Sequence, residues 1–167
     1  TKVYGTLDPV LTYQITTGAL ASGDSLVGTL DRVAGETVGL YAIGQGTLSA
    51  GANYALTYVA NNLDITAAPL TITANDDTRV YGAANPTFTA SYTGFVNGDT
   101  AASLTTPVIL GTTAVPTSPV GTYPITATGA TSSNYTITHV DGTLTVTIAP
   151  LTVTADPQTK VYGALDP

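Results

Sequence analysis

The chain has 167 residues, and its four Lys and Arg against eleven Asp and Glu give a net charge of −7 and a pI near 4.1. That balance excludes the basic footprint of a nucleic-acid binder or of a protein drawn to an anionic membrane surface. There is no Cys, which removes disulfide frameworks, thiolate chemistry and Cys-based metal sites.

Charged residues make up only 9% of the chain and Thr about a fifth, so Thr, Ser, Asn and Gly must do most of the solvation. That bias favours strands and suggests an extracellular protein. No apolar run approaches a membrane-spanning helix, and no signal peptide is legible. The absence of Met implies that the chain does not begin at a natural start, so that a targeting signal would lie upstream.

Taken in chain order, the first landmark is Lys2-Val3-Tyr4-Gly5, followed by Asp8-Pro9. Leu11, Tyr13 and Ile15 alternate with polar neighbours and predict a half-buried strand. Gly23-Asp24 comes next, with a weak helical hint over Asp24-Ser25-Leu26-Val27 that ends at Gly28. Val38-Gly39-Leu40-Tyr41, Asn53-Tyr54, a turn at Asn61-Asn62 and a strand over Leu63–Thr66 complete the first set. Ala68-Pro69-Leu70-Thr71 then opens a strand with Leu70, Ile72 and Ala74 on one face.

From there the order repeats. Arg79-Val80-Tyr81-Gly82 leads to Asn85-Pro86, and Phe88, Ala90 and Tyr92 alternate. Gly98-Asp99 precedes Thr100-Ala101-Ala102-Ser103-Leu104, which reads as a short capped helix. Val120-Gly121-Thr122-Tyr123 and Asn134-Tyr135 recur in turn. Asp141-Gly142 predicts a hairpin turn before a strand with Leu144, Val146 and Ile148 inward. Ala149-Pro150-Leu151-Thr152 and Lys160-Val161-Tyr162-Gly163, with Asp166-Pro167, begin the order a third time.

A recurrence of about 80 residues is a whole small domain in tandem, not a solenoid turn. The spacing predicts a first unit over 1–67 that lacks its opening strand, a complete unit over 68–148, and the opening of a third over 149–167. Each unit is expected to hold about six strands and one short helical turn. The junctions have no Gly/Ser linker and so should be stiff. The inward positions shift parity there, from 144, 146 and 148 to 151, 153 and 155, which predicts units alternating about a thin rod.

The ordered set Lys/Arg-Val-Tyr-Gly, Asp/Asn-Pro, Gly-Asp, Val-Gly-x-Tyr, Asn-Tyr and Pro-Leu-Thr resembles the MBG repeat of the YGX type. The resemblance covers essentially the whole chain. It implies an extracellular, mostly β module, β-grasp-like, found in tandem within large bacterial surface and adhesin-like proteins; an immunoglobulin-like β-sandwich is the alternative. It implies no ligand. Arg79 for Lys, Asn85 for Asp, and a longer loop in place of Ala34–Thr37 read as loop drift.

The residues offer little catalytic chemistry. Gly5, Gly82 and Gly163 read as backbone positions closed to other residues, with Tyr4, Tyr81 and Tyr162 packing beside them and Pro69 and Pro150 marking the junctions. Asp76, Asp77, Asp141 and Asp156 suit turns and caps better than Ca²⁺, since no Asp-x-Asp-x-Asp-Gly loop is present. An intradomain isopeptide bond would need the Lys that Arg79 replaces. His139, the single imidazole, reads as a half-exposed strand residue, and Glu36, the single Glu, has no repeated carboxylate partner. The Asn134-Tyr135-Thr136 sequon reads as a turn into a strand.

The expectation is therefore a non-enzymatic stalk at a bacterial cell surface, with no cofactor and no metal, whose partners are its neighbouring repeats. The alternatives are glycan or host-protein binding by the repeats, and head-to-tail self-association through end strands into a filament.

Overall fold

The computed structural model describes residues 1–166; Pro167, and with it the third Asp-Pro pair, lies outside them. In chain order the strands are β1 (Lys2–Val3), β2 (Asp31–Arg32), β3 (Gly39–Gly44), β4 (Asn61–Thr66), β5 (Ala68–Ala74), β6 (Asp77–Val80), β7 (Ala90–Thr93), β8 (Ile109–Gly111), β9 (Gly121–Thr128), β10 (Tyr135–Val140) and β11 (Gly142–Thr147). A 3-10 turn, Ala101–Ser103, comes after β7. The chain is thus mostly β and tandem in organisation.

Two four-stranded sheets repeat one topology. The first has the order β1-β4-β3-β2 and the second β6-β11-β9-β8. In both, the short strand carrying the Val-Tyr-Gly motif runs parallel to the last strand of its unit, with Lys2 opposite Ile65 and Arg79 opposite Val146. In both, the remaining pairs are antiparallel.

The third sheet, β10-β5-β7, has no counterpart in the first unit. Its centre is β5, which pairs parallel with β10 and antiparallel with β7. Alternation places Ala68, Leu70, Ile72 and Ala74 in the core, each 2% exposed or less. Burying Leu70 and Ile72 contributes about 1.5–3 kcal/mol each. Only Ala67 separates β4 from β5, and inward positions pass from Leu63 and Ile65 to Ala68 and Leu70, so the parity shift falls in an almost unbroken strand. Tyr4 and Ile65 of the first unit join Ala68, Leu70, Ile72 and Tyr135 in one cluster. A second cluster, around Ile125, Leu144 and Ala74, lies wholly in the second unit.

Several expectations are corrected. About six strands and one helical turn are expected in each unit; the second has seven strands and the 3-10 turn, whereas the first has four strands and no helical turn. Leu11–Ile15 and Asn53–Val59, the counterparts of β7 and β10, form no strand, because the strand that would bond both is missing beside them. The Asp24–Val27 segment is not helical; Val27 instead makes an isolated antiparallel bridge with Ser49. Ile148 is 76% exposed rather than inward.

Asp141-Gly142 is not a hairpin turn, nor is Asn61-Asn62, which lies within β4. The chain passes from β10 in one sheet to β11 in another, and Gly142 does not adopt a positive φ. Glycine is required there for close approach: a Cβ would sit 2.4 Å from the Ala74 carbonyl oxygen. Replacing Gly142 by Val should therefore cost about 1–3 kcal/mol by forcing β11 off β5. Gly111→Ala, at a strand glycine with no atom within 4 Å of the added Cβ, should stay within about 0.5 kcal/mol. Urea melts of the two variants check the contrast.

Candidate functional site

Strand alternation sets up the motif. In β1 and the residue after it, Lys2 and Tyr4 point inward and Val3 outward. A tight turn comes next in all three copies: Thr6, Ala83 and Ala164 donate their N–H to the carbonyls of Val3, Val80 and Val161 at 3.0, 3.1 and 3.0 Å. Gly5, Gly82 and Gly163 occupy the third turn position with φ of 83°, 86° and 84°. A type II turn demands that conformation, which glycine adopts without strain.

Tyr4 lies at the boundary between units. Its hydroxyl donates to Asp99 Oδ2 at 2.9 Å, and the Tyr135 hydroxyl donates to the same oxygen at 2.7 Å. The Val96 N–H in turn donates to the Tyr135 oxygen at 3.1 Å. The Tyr4 and Tyr135 rings meet edge to face, with centroids 5.5 Å apart, and Phe95 meets Tyr135 likewise. Gly5 sits hard against Val96, where a Cβ would come within 2.4 Å of a methyl carbon. A second bond crosses beside it, from Val38 N–H to Asn134 Oδ1 at 3.1 Å.

The loop presenting Asp99 is shaped by Asn97 and Gly98, both at positive φ (56° and 76°), and closed by a bond from Asp99 N–H to the Val96 carbonyl. Thr100 caps the following 3-10 turn in a capping box with Ser103, as the sequence implies. The Tyr135 hydroxyl, and after it those of Tyr4 and Ser103, hold the Asp99 carboxyl below its usual range against the opposing effect of burial. Burial, reinforced by Asp99, pushes the Tyr135 hydroxyl up to about 12, so it stays a donor.

The first unit contains the same receiving group without an incoming tyrosine. Tyr54 hydroxyl donates to Asp24 Oδ2 at 2.5 Å, and Ala21 N–H donates to the Tyr54 oxygen at 2.8 Å. The second unit carries an unplaced tyrosine: Tyr81 is 45% exposed where Tyr4 is 7%. Tyr162 is fully exposed, and Pro150 lies in an exposed segment outside any strand. Pro69 sits in β5 beyond the end of β7, whose pairing stops at Thr71, so its missing N–H breaks no β7 bond.

Lys2 and Arg79 are the buried cations of the two units. Lys2 Nζ lies 2.7 Å from Asp8 Oδ1 and 2.5 Å from Glu36 Oε2. Arg32 binds the same two carboxylates. Arg32 first and Lys2 next hold the Asp8 carboxyl down to about 2, while Lys2 then Arg32 lower Glu36, and bonds to Asp8 then Glu36 raise Lys2. An amide link between Lys2 and Asp8 needs a neutral amine and a protonated acid; here each partner keeps the other charged. Arg79 uses a different set: Asn85 Oδ1 at 2.8 Å and the Val115 and Pro116 carbonyls, with Asn85 Nδ2 donating to Ala114. Arg79 and Asn85 are therefore a matched exchange for Lys2 and Asp8, not loop drift.

Of the remaining candidates, Asp76, Asp77 and Asp141 accept backbone N–H bonds from Thr143, Thr78 and Ala127. His139 is half-buried in β10, and its Nε2 has no partner among the described residues. Among those residues no group of three His, Asp or Glu is placed to hold a metal ion, and no helix is long and apolar enough to cross a membrane.

Sequence reasoning missed that Asp99, Asn134 and Tyr135 receive Tyr4 and Val38. The recurrence of Gly-Asp and Asn-Tyr marked the residues; their meeting across units had no linear signal. The MBG domain (YGX type) family matches residues 1–64 and again 70–145. No curated protein and no solved structure matches the chain.

Two outcomes are expected. Asp99→Ala should cost about 1–3 kcal/mol, because it leaves the buried Tyr4 hydroxyl without its acceptor and the Tyr135 hydroxyl with only the Val96 carbonyl at 3.3 Å, and Tyr4→Phe less, each read by thermal melting. A depressed carboxylate stabilises above its ordinary value near 4 and loses that effect as pH falls through its folded value. Acidification from about pH 4 toward 2 should therefore loosen the Asp8 cluster of the first unit before the Asn85 site of the second. Amide exchange resolved by unit checks this, and Asp8→Asn with Glu36→Gln should abolish the difference.

Proposed function

The chain belongs to the MBG domain (YGX type) family, as two tandem copies, and we propose that it works as a structural spacer in the repeat region of a bacterial surface protein. The reading is of an adhesin-like stalk outside the cell, projecting a binding region by mechanical means and without catalysis. Its units are taken as β-grasp-like modules set along an elongated rod.

The observation that carries it is the junction. Two units share one cluster of buried side chains, an almost continuous β4–β5 strand and two crossing hydrogen bonds. Independent binding modules on a flexible tether need none of these, whereas a spacer must resist bending at each joint. Tyr4, the ring that glycan stacking would call on, is buried in the joint.

Small-angle scattering at high dilution tests the reading. An elongated particle with a narrow distribution of distances between units is expected, and Tyr4→Ala with Asn134→Ala should broaden that distribution. A compact particle, or a double variant as stiff as the parent, would overturn it.

A further inference from the structure

The chain enters the second unit through β5 and leaves it through β11, and we propose that the parallel pairing of β6 with β11 is a shear clamp that holds the unit closed against tension along the chain. The clamp rests on the spacer reading, in which each unit is pulled through its ends. Only Asn75 and Asp76 separate β5 from β6, so a pull arriving at Ala68 reaches β6 at its amino-terminal end. The opposing pull reaches β11 at its carboxyl-terminal end. Because the two strands run parallel, these forces slide one along the other. The ladder bonds lie across that direction, so they take the load together instead of parting one after another. Residues 81–141 lie outside this path and feel no tension until the clamp parts.

The seam is closed at both ends. Asp77, Thr78, Arg79 and Val80 stand opposite Leu144, Thr145, Val146 and Thr147. At one end Asp76 Oδ1 accepts the Thr143 N–H at 2.7 Å, and at the other the Thr147 carbonyl accepts the Tyr81 N–H at 2.8 Å. The Thr147 hydroxyl adds a bond to the Arg79 carbonyl at 3.3 Å. Leu144 and Val146, 0% and 1% exposed, keep water from the inner side, where it would otherwise replace a stretched bond. The Arg79 guanidinium, bonded to Asn85 and to the Val115 and Pro116 carbonyls, pins β6 to a loop of its own unit.

The first unit has the same seam at matching positions. β1 runs parallel to β4 with Val3 opposite Thr66, as Val80 is opposite Thr147. The Tyr4 N–H donates to the Thr66 carbonyl at 2.8 Å, and the Thr66 hydroxyl donates to the Lys2 carbonyl at 3.2 Å. Lys2 is pinned by Asp8 and Glu36. The two cation sites use different partners, yet each anchors the strand that tension would slide. An apolar residue there would avoid the desolvation of a buried charge, and it would also give the strand no polar anchor.

Force spectroscopy on the whole chain tests the clamp, and the absence of Cys allows handles at chosen single sites. Ala67→Cys with Ile148→Cys loads β6 and β11 at opposite ends, whereas Ala83→Cys with Ile148→Cys loads them at the same end and peels them apart. At one loading rate, the second unit is expected to open at a force several times higher in the first geometry. Tyr81→Pro removes the N–H that Thr147 accepts while suiting the second position of a type II turn, where proline is favoured. Leu110→Ala instead loosens the core beneath β8 and should lower the melting temperature more. Forced opening follows the unfolding barrier and not equilibrium stability, so Tyr81→Pro should reduce the opening force in the first geometry more than Leu110→Ala does. Equal forces in the two geometries, or a drop at least as large for Leu110→Ala, would overturn the clamp. Either result would leave the spacer reading standing, because scattering reads shape and bending instead of tensile strength.

Discussion

One carboxylate accepting hydroxyls from two successive units is the constraint on which the rest of the arrangement depends. Asp99 Oδ2 lies within 2.9 Å of Tyr4 and 2.7 Å of Tyr135. Both phenols are buried, so each needs an acceptor, and a single ionised oxygen satisfies both more strongly than two neutral acceptors would. The geometry demands a loop that brings Asp99 forward, hence Gly98. It demands a turn that lets the backbone after Tyr4 press on Val96, hence Gly5. The repeated Tyr-Gly and Gly-Asp pairs are two halves of one contact that forms only between units.

A second dependence runs through β5. This strand bonds β10 on one side and β7 on the other, and neither flanking strand has another neighbour in its sheet. It also comes a single residue after β4, so the element that ends one unit's sheet leads directly into the element that organises the next. The first unit lacks that central strand, and the consequence is visible: its four-stranded sheet forms, while Leu11–Ile15 and Asn53–Val59 pair with nothing. Order in a unit therefore comes partly from its neighbour, as expected for domains this small, in which one core buries a limited share of the chain.

The same physics explains what could be read from the sequence. Alternation identified β5, β11 and the repeated order correctly, because those strands have one wet and one buried face. It failed at Leu11–Ile15, where the pattern is as good, because pairing depends on a strand elsewhere in the chain. Asp141-Gly142 has the composition of a turn, yet glycine serves there to admit the Ala74 carbonyl, a need invisible without the tertiary contact. The Tyr-Gly, Gly-Asp, Val-Gly-x-Tyr and Asn-Tyr landmarks were all visible, but Tyr4 and Asp99 lie 95 residues apart, and linear spacing did not show them as partners.

The pattern of change between the two units separates what is free from what is fixed. Beneath β1, Lys2 is neutralised by Asp8 and Glu36; beneath β6, Arg79 is satisfied by Asn85 and two carbonyls of a rebuilt loop. Cation, acceptor and loop have changed together, since a buried charge left with the wrong partners costs several kcal/mol. That site is closed within one unit, so its members can change as a set. A junction residue faces a different unit, and a change there must suit a partner encoded about 95 residues away. Tyr, Gly, Asp and Asn-Tyr are accordingly the same in both units, while the polar pillar between them is not. In this chain the hydrogen-bonding groups of the junction are the same in both units, while the buried cation site inside each unit differs.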